Sequence, residues 1–209
     1  MRHALTLFLL LGLAVECGAQ SLYLDRGQRG VEVSSGWSVG PSSNGIETFA
    51  SIGFDGRVDV GMGVSRYTLT FDDGSKSSFR EYAPFVRTFV VKETAGGAPV
   101  SLAVSGQVFI DDFNSDDSGH YVQIGTMVFK NLKLSRGWAM QPFAGFAFVA
   151  ESYTFGGGDA DRAQYLTRDF GLHFTTAMDR PWVLRLTVAE QSFRRETYRG
   201  ARLAVIRRL

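Results

Sequence analysis

Cysteine is nearly missing from this chain: Cys17 is the single one in 209 residues, so no disulfide can staple the fold and stability must come from packing and backbone pairing. Beyond the first twenty residues there is no long apolar run, which excludes a transmembrane helix there, because a bilayer core takes about 20 consecutive apolar residues. Lysine is scarce too. Of the 22 basic residues only Lys76, Lys92, Lys130 and Lys133 are lysines, whereas water-soluble β-proteins use lysine to blunt exposed strands and edges. Past the N-terminal segment the histidines are His120 and His173 alone, a poor supply for a zinc site. With Lys+Arg at 22 against Asp+Glu at 21, no charge excess points to a nucleic-acid partner.

The chain opens Met1-Arg2-His3, continues through an apolar stretch from Ala4 to Val15 and reaches the small residues Gly18 and Ala19. This is the layout of a secretory signal peptide. The expected cut follows Ala19, giving a signal over residues 1–19 and one domain over 20–209. The apolar stretch is too short to remain as a membrane span, and Glu16 before Cys17 argues against a lipoprotein signal. Cleavage would remove the only thiol.

What the rest of the sequence holds is alternation. Val58, Val60, Met62 and Val64 are interleaved with Asp59, Gly61, Gly63 and Ser65, and Trp182, Leu184, Leu186 and Val188 with Arg185, Thr187 and Ala189, a strand period. Short turn-like punctuation (55–57, 94–99, 131–137, 178–181) alternates with polar, often acidic punctuation (40–45, 72–78, 111–119, 156–162). An up-and-down meander with turns on one rim and loops on the other requires that order. It predicts about ten strands, near 31–39, 46–54, 58–71, 81–93, 100–110, 121–130, 139–155, 163–177, 182–195 and 201–209, with eight longer strands as the alternative. At Arg66 the apolar pattern changes parity, which predicts a β-bulge. Between Tyr82 and Val91 neither parity is clean, since Arg87 shares a face with Phe85 and Phe89.

Alternation alone does not say which face points inward. A soluble ligand-binding barrel turns apolar side chains to its axis, while a membrane barrel turns them to lipid. Here the polar face is built of Gly, Ser, Thr and Ala with scattered charges, which suits a crowded lumen. Trp37, Trp138, Trp182, Tyr67, Tyr82, Tyr121, Tyr153 and Tyr198 fall near predicted strand ends, as interfacial rings would. The predicted fold is therefore all-β: a single up-and-down antiparallel transmembrane β-barrel.

On this pattern of signal peptide, alternating strands, and turns alternating with loops, the chain resembles the small outer-membrane β-barrel proteins, the group that includes OmpX-like, OmpW-like and OmpA-type barrels. The resemblance covers the whole mature chain and is carried by architecture. It implies a Gram-negative outer-membrane location, outer-membrane lipid and lipopolysaccharide as surroundings, the barrel-assembly machinery as a partner during insertion, and a monomer. Such chains usually finish with an aromatic residue, whereas this one ends Ala204-Val205-Ile206-Arg207-Arg208-Leu209.

Candidate site residues fall into two sets. Glu32, Glu47, Asp59, Arg87, Asp169, His173 and Arg185 lie on the polar face and are expected to form a lumen ionic network, because charges in a narrow barrel must be paired or hydrated. Arg194, Arg195, Arg199 and Arg202 cluster near the last loop, where guanidinium groups would reach lipopolysaccharide phosphates or pair with neighbouring acidic loops. Asp112, Asn114 and Asp116 have the spacing that opens a calcium loop, but Asp117 and Gln123 stand where glycine and glutamate should be. His173, with Thr175 two residues on and Asp169 and Glu151 on neighbouring strands, lacks a serine partner. No metal, cofactor or catalytic residue is expected. The role expected is structural or surface-interacting, with acidic loops facing the exterior; a narrow channel or carrier and a lipid-modifying enzyme are the alternatives.

Overall fold

The computed structural model describes residues 28–71, 74–91, 93, 99–113, 118–135, 137–154, 161–176, 181–193 and 196–209. Residues 1–19, the expected signal peptide, lie outside them. The strands are β1 (Gly30–Val39), β2 (Ser43–Phe54), β3 (Val58–Thr70), β4 (Lys76–Val91), β5 (Ser101–Phe113), β6 (Ser118–Phe129), β7 (Leu132–Ser135), β8 (Trp138–Thr154), β9 (Asp161–Thr176), β10 (Trp182–Phe193) and β11 (Glu196–Arg208). Successive strands pair antiparallel except β6 and β7, which both pair with β8, and β1 pairs with β11. The result is a closed up-and-down barrel of ten strands. The short β7 pairs with β8, so the segment 131–137, expected as a simple turn, contains a strand.

The polarity of the wall is inverted relative to a soluble protein. Val60 (48%), Leu186 (43%) and Leu166 (69%) stand exposed on the outside, while Arg185, Asp59, Glu81, Asp111, Glu151 and His173 are buried inside. On β3 the outward residues from the turn end are Val58, Val60, Met62 and Val64, then Arg66; on β10 they are Trp182, Leu184, Leu186 and Val188, then Glu190. An apolar belt thus encircles the barrel and gives way to charge toward the loop end. A spanning β-strand needs only about 9–11 residues, and most of these strands are longer, at 12 to 17 residues.

That excess length explains where the expected boundaries miss. The β1–β2 connection is residues 40–42, closed by Gly40 N–H donating to the Ser43 carbonyl at 2.7 Å. β4 begins at Lys76, and β5 and β6 run to Phe113 and from Ser118. Polar sequence near the loop end therefore continues the ladders where loop was expected, since strand pairing demands backbone partners and not apolar side chains. Asp72, Asp73, Asn114, Asp116, Asp117 and Asp159, from the acidic loops, lie outside the described residues.

The expected bulge at Arg66 is absent. Register runs unbroken from Ile46 opposite Arg66 to Arg66 opposite Arg80, so Arg66 keeps the outward parity and Tyr67 turns inward. The irregularity lies instead between Phe89 and Val91, in the β4–β5 pairing, which is the stretch where neither parity is clean. At the β2–β3 turn, Asp55 and Gly56 both have positive φ, 54° and 59°, and Arg57 N–H donates to the Phe54 carbonyl at 2.9 Å. This is the hairpin turn whose twist matches the flanking strands, and an Asp-Gly pair favours it.

Inside the wall, aromatic rings lie across glycines on the neighbouring strand. Phe49 covers Gly63, Phe85 covers Gly61, Tyr67 covers Gly45, Phe143 covers Gly171 and Tyr153 covers Gly119, each a direct cross-strand pair. A glycine opposite leaves a large ring room to lie flat against the wall; elsewhere rings face rings, as where Phe109 stacks on its cross-strand partner Tyr121 at 4.0 Å. Substituting Gly63→Val, where even a Cβ would stand 2.7 Å from Phe49 Cδ1, should cost about 1–3 kcal/mol in urea unfolding of the lipid-inserted barrel. Gly106→Ala, whose nearest neighbour is Val86 Cγ1 at 3.9 Å, should change the midpoint little.

Candidate functional site

The polar lumen is the candidate site, and it is layered along the barrel. At the turn end Phe89, Ala103, Phe129, Val183 and Ile206 form a buried apolar cluster, with Met127 and Phe143 packed against it. Phe89 and Phe129 meet edge to face, ring centroids 6.2 Å apart. Dispersion and apolar burial hold this plug.

Above the plug sits an ionic layer. Arg185, on β10, donates to Glu32, on β1, across the intervening β11. Arg87 stands directly opposite Asp59 on the same inward face and lies 5.6 Å from the Phe85 ring centroid. His173 Nδ1 is 2.8 Å from Thr187 Oγ1, and its ring stacks on Phe143 at 4.4 Å. Asp169 faces Gln191 across β9–β10. Of the expected network, then, the structure joins Glu32 with Arg185 and sets Asp59 beside Arg87. His173 engages threonine and phenylalanine, and Glu47 belongs to the layer above.

That upper layer was not foreseen. Tyr67 Oη donates to Glu47 Oε1 at 3.0 Å, Tyr121 Oη to Glu81 Oε2 at 2.6 Å and Tyr165 Oη to Glu151 Oε2 at 2.6 Å. Tyr153 makes the corresponding contact with Asp111. Glu47, Ser65, Glu81 and Asp111 follow one another along a single register row across β2 to β5. Like charges directly opposite repel, and charge-assisted donation from phenols is what compensates here. Tyr67, Tyr121, Tyr153 and Tyr198, expected as interfacial rings, thus face inward; Trp37, Trp138 and Trp182 stand exposed on the outer wall, together with Phe54, Phe146, Phe148 and Phe170. The signal was available: counted in steps of two from Asp59, with no bulge assumed, Tyr67 falls on the inward parity.

Of the four arginines expected to cluster at the last loop, the two that are described, Arg199 and Arg202, lie on opposite faces of the wall. Arg202 points into the lumen, 2.5 Å from Glu47 Oε2, with its guanidinium 4.0 Å from the Phe49 ring centroid. Arg199 is on the outer face, paired with Glu190 at 2.9 Å. Arg194 and Arg195 lie outside the described residues. The split follows from period two, since residues 199 and 202 differ by an odd number of positions.

Between the layers is a cavity of about 370 Å³, lined among others by Gln107, Gln123, Phe109, Tyr121, Asp169 and Arg185, and reaching Gln191 and Tyr198 near the loop end. Among the described residues no group of three or more His, Cys, Asp or Glu side chains has metal-site geometry. His173 Nε2 has no hydrogen-bond partner among them, so the Thr187–His173 contact has no third group to orient it as a base.

A buried ion pair in a narrow lumen is costly to break and cheap to delete whole. Arg185→Met should therefore destabilise the inserted barrel by about 3–5 kcal/mol, leaving Glu32 uncompensated. Adding Glu32→Leu should recover most of that loss, read as the urea midpoint of the double variant.

No family model matches the chain, and no curated protein matches it in sequence. Among solved structures it is similar to the attachment invasion locus protein Ail of Yersinia pestis, at 8% identity over 88% of this chain and 99% of that one, with a TM-score of 0.46. It is also similar to Neisserial surface protein A, at 10% identity over 87% and 96%, with a TM-score of 0.46. A third likeness is to the N-terminal β-barrel domain of Pseudomonas aeruginosa OprF, at 12% identity over 88% and 100%, with a TM-score of 0.40.

Proposed function

We propose that this chain is exported by a signal peptide over residues 1–19 and inserted, as a monomer, into the outer membrane of a Gram-negative bacterium, where it serves as a non-enzymatic structural or surface-interaction component. The observation that carries the reading is the inverted wall: an exposed aliphatic belt around a lumen that buries Arg185, Glu81 and Asp111. Aliphatic side chains exposed all round the barrel would be unstable in water, and a closed ladder is the one strand arrangement that satisfies its backbone in hydrocarbon. Outer-membrane lipid, including lipopolysaccharide, would be the solvent of that belt, and the barrel-assembly machinery its partner during insertion.

The apolar plug supports a lumen that is blind at the turn end, and so a role carried by the outer surface and loop rim and not by transport. The cavity favours one second reading, a carrier or narrow channel for a small ligand entering from the loop end.

Two measurements separate these readings. On fractionation, the folded protein should appear in the outer membrane with heat-dependent gel mobility; a soluble periplasmic protein would sink the proposal. In planar bilayers the wild type should show no single-channel steps, while Phe89→Ala with Phe129→Ala should show them. Steps from the wild type would favour the channel.

A further inference from the structure

An arginine on the lipid-facing parity of β3 requires an explanation, and the register supplies one. Arg66 and Arg80 stand directly opposite each other on β3 and β4, both exposed on the outer wall. Opposed residues of adjacent strands have Cβ atoms about 4.5–5.5 Å apart, and like charges so placed destabilise the pair. Asp112, opposite Arg80 on β5, is the one carboxylate in that row, and no salt bridge joins it to either arginine among the described residues. Arg199, on the outer wall near the same rim, is by contrast paired with Glu190.

The surroundings of the pair are graded along the barrel. Toward the loop end the next cross-strand pair is Thr68 with Ser78, their hydroxyl oxygens 3.1 Å apart. Toward the turn end come Val64 opposite Tyr82, Met62 opposite Pro84 and Val60 opposite Val86, the apolar belt itself. Two guanidinium forks with two hydroxyls beside them form a donor set for a tetrahedral oxyanion, because guanidinium binds phosphate bidentately and is only weakly hydrated. The belt directly beneath favours a phosphate carried on acyl chains over one free in solution.

We propose that Arg66 and Arg80, with the hydroxyls of Thr68 and Ser78, bind a phosphate of a phosphorylated glycolipid of the outer leaflet, whose acyl chains lie along Val64, Met62, Tyr82 and Val86. The inference rests on the outer-membrane reading and assigns that lipid contact to residues outside the last loop. The bound phosphate removes the repulsion between the two guanidinium groups and fixes the depth of the barrel in the membrane.

The test uses the folded full-length protein, purified in detergent, with a labelled bis-phosphorylated hexa-acyl lipid A as probe. Unlabelled lipid A, dephosphorylated lipid A and inorganic phosphate serve as competitors. Wild type should prefer the phosphorylated over the dephosphorylated lipid by about tenfold or more, the scale of one charge-assisted bidentate contact. R66Q/R80Q should lose that preference, and R66K/R80K, which keeps the charge but not the fork, should retain part of it. Heat-dependent mobility checks that each variant folds; if R66Q/R80Q does not, Thr68→Val with Ser78→Ala should still lower the preference. The proposal is overturned if the folded glutamine or hydroxyl variant keeps the full preference, or if inorganic phosphate displaces the probe as well as lipid A does. A barrel found in the outer-membrane fraction but lacking phosphate preference overturns this site alone and leaves the outer-membrane reading standing.

Discussion

Closure of the backbone ladder is the constraint on which everything else in this molecule depends. β1 and β11 pair along ten positions, from Gly30 opposite Arg208 to Val39 opposite Arg199, so the sheet has no free lateral edge. The seam is extended at the turn end, where Leu209 N–H donates to the Arg29 carbonyl at 2.8 Å, and the adjoining β10–β11 ladder by Arg208 N–H donating to the Pro181 carbonyl at 2.9 Å. With inter-strand partners supplied all round, the wall needs no water to satisfy it and can present hydrocarbon outward. A barrel opened at this seam would expose two rows of unpaired amides and carbonyls to whatever surrounded it.

Once the outside is committed to aliphatic side chains, period two sends the other half of each strand inward, and the interior must solve a packing problem with polar material. It does so by layers. Rings opposite glycines fill the wall without crowding it, an apolar cluster closes the turn end, and above it Glu32 meets a guanidinium while Glu47, Glu81 and Glu151 accept from phenols. The tyrosine–carboxylate layer shows how the chain manages a surplus of acids over bases inside: short hydrogen bonds from Tyr121 to Glu81 and from Tyr165 to Glu151 stand in for the missing cations. Some partners are hairpin neighbours, such as Tyr165 with Glu151, but Glu32 with Arg185 and Glu47 with Arg202 meet across the β1–β11 closure.

Much of the fold was legible in the residues because the decisive signals are local. Alternation in 58–64 and 182–188 identified strands and faces, the Asp-Gly at 55–56 marked its turn, and the alternation of turns with loops gave the up-and-down order. What was not legible depends on register. The polar stretches at 43–45 and 76–78 read as loop because pairing needs no apolar side chain, and Arg66 read as a bulge because Tyr67, Leu69 and Phe71 continue the apolar pattern on the opposite parity. In the site, the Glu32–Arg185 pair was reachable as a class of contact, since both lie on the polar face. The tyrosines were misassigned because a ring near a strand end suits an interface and a lumen equally well, and only parity counted through an unbroken strand separates them. Arg202 was grouped with Arg199 by nearness in sequence, although an odd separation on one strand puts them on opposite faces.

The central claim is that the aliphatic rows face acyl chains and the glycine, serine and carboxylate rows face an enclosed lumen. With Cys17 replaced or removed, single cysteines at Val60, Leu186, Ser51 and Gln123 can carry nitroxide labels in the lipid-inserted barrel, and their collision rates with oxygen and with a water-soluble nickel chelate can be read by electron paramagnetic resonance. Labels at Val60 and Leu186 should collide freely with oxygen and rarely with the chelate, while labels at Ser51 and Gln123 should be shielded from oxygen. The reverse pattern, with Ser51 and Gln123 in contact with lipid and Val60 and Leu186 protected, would contradict the account.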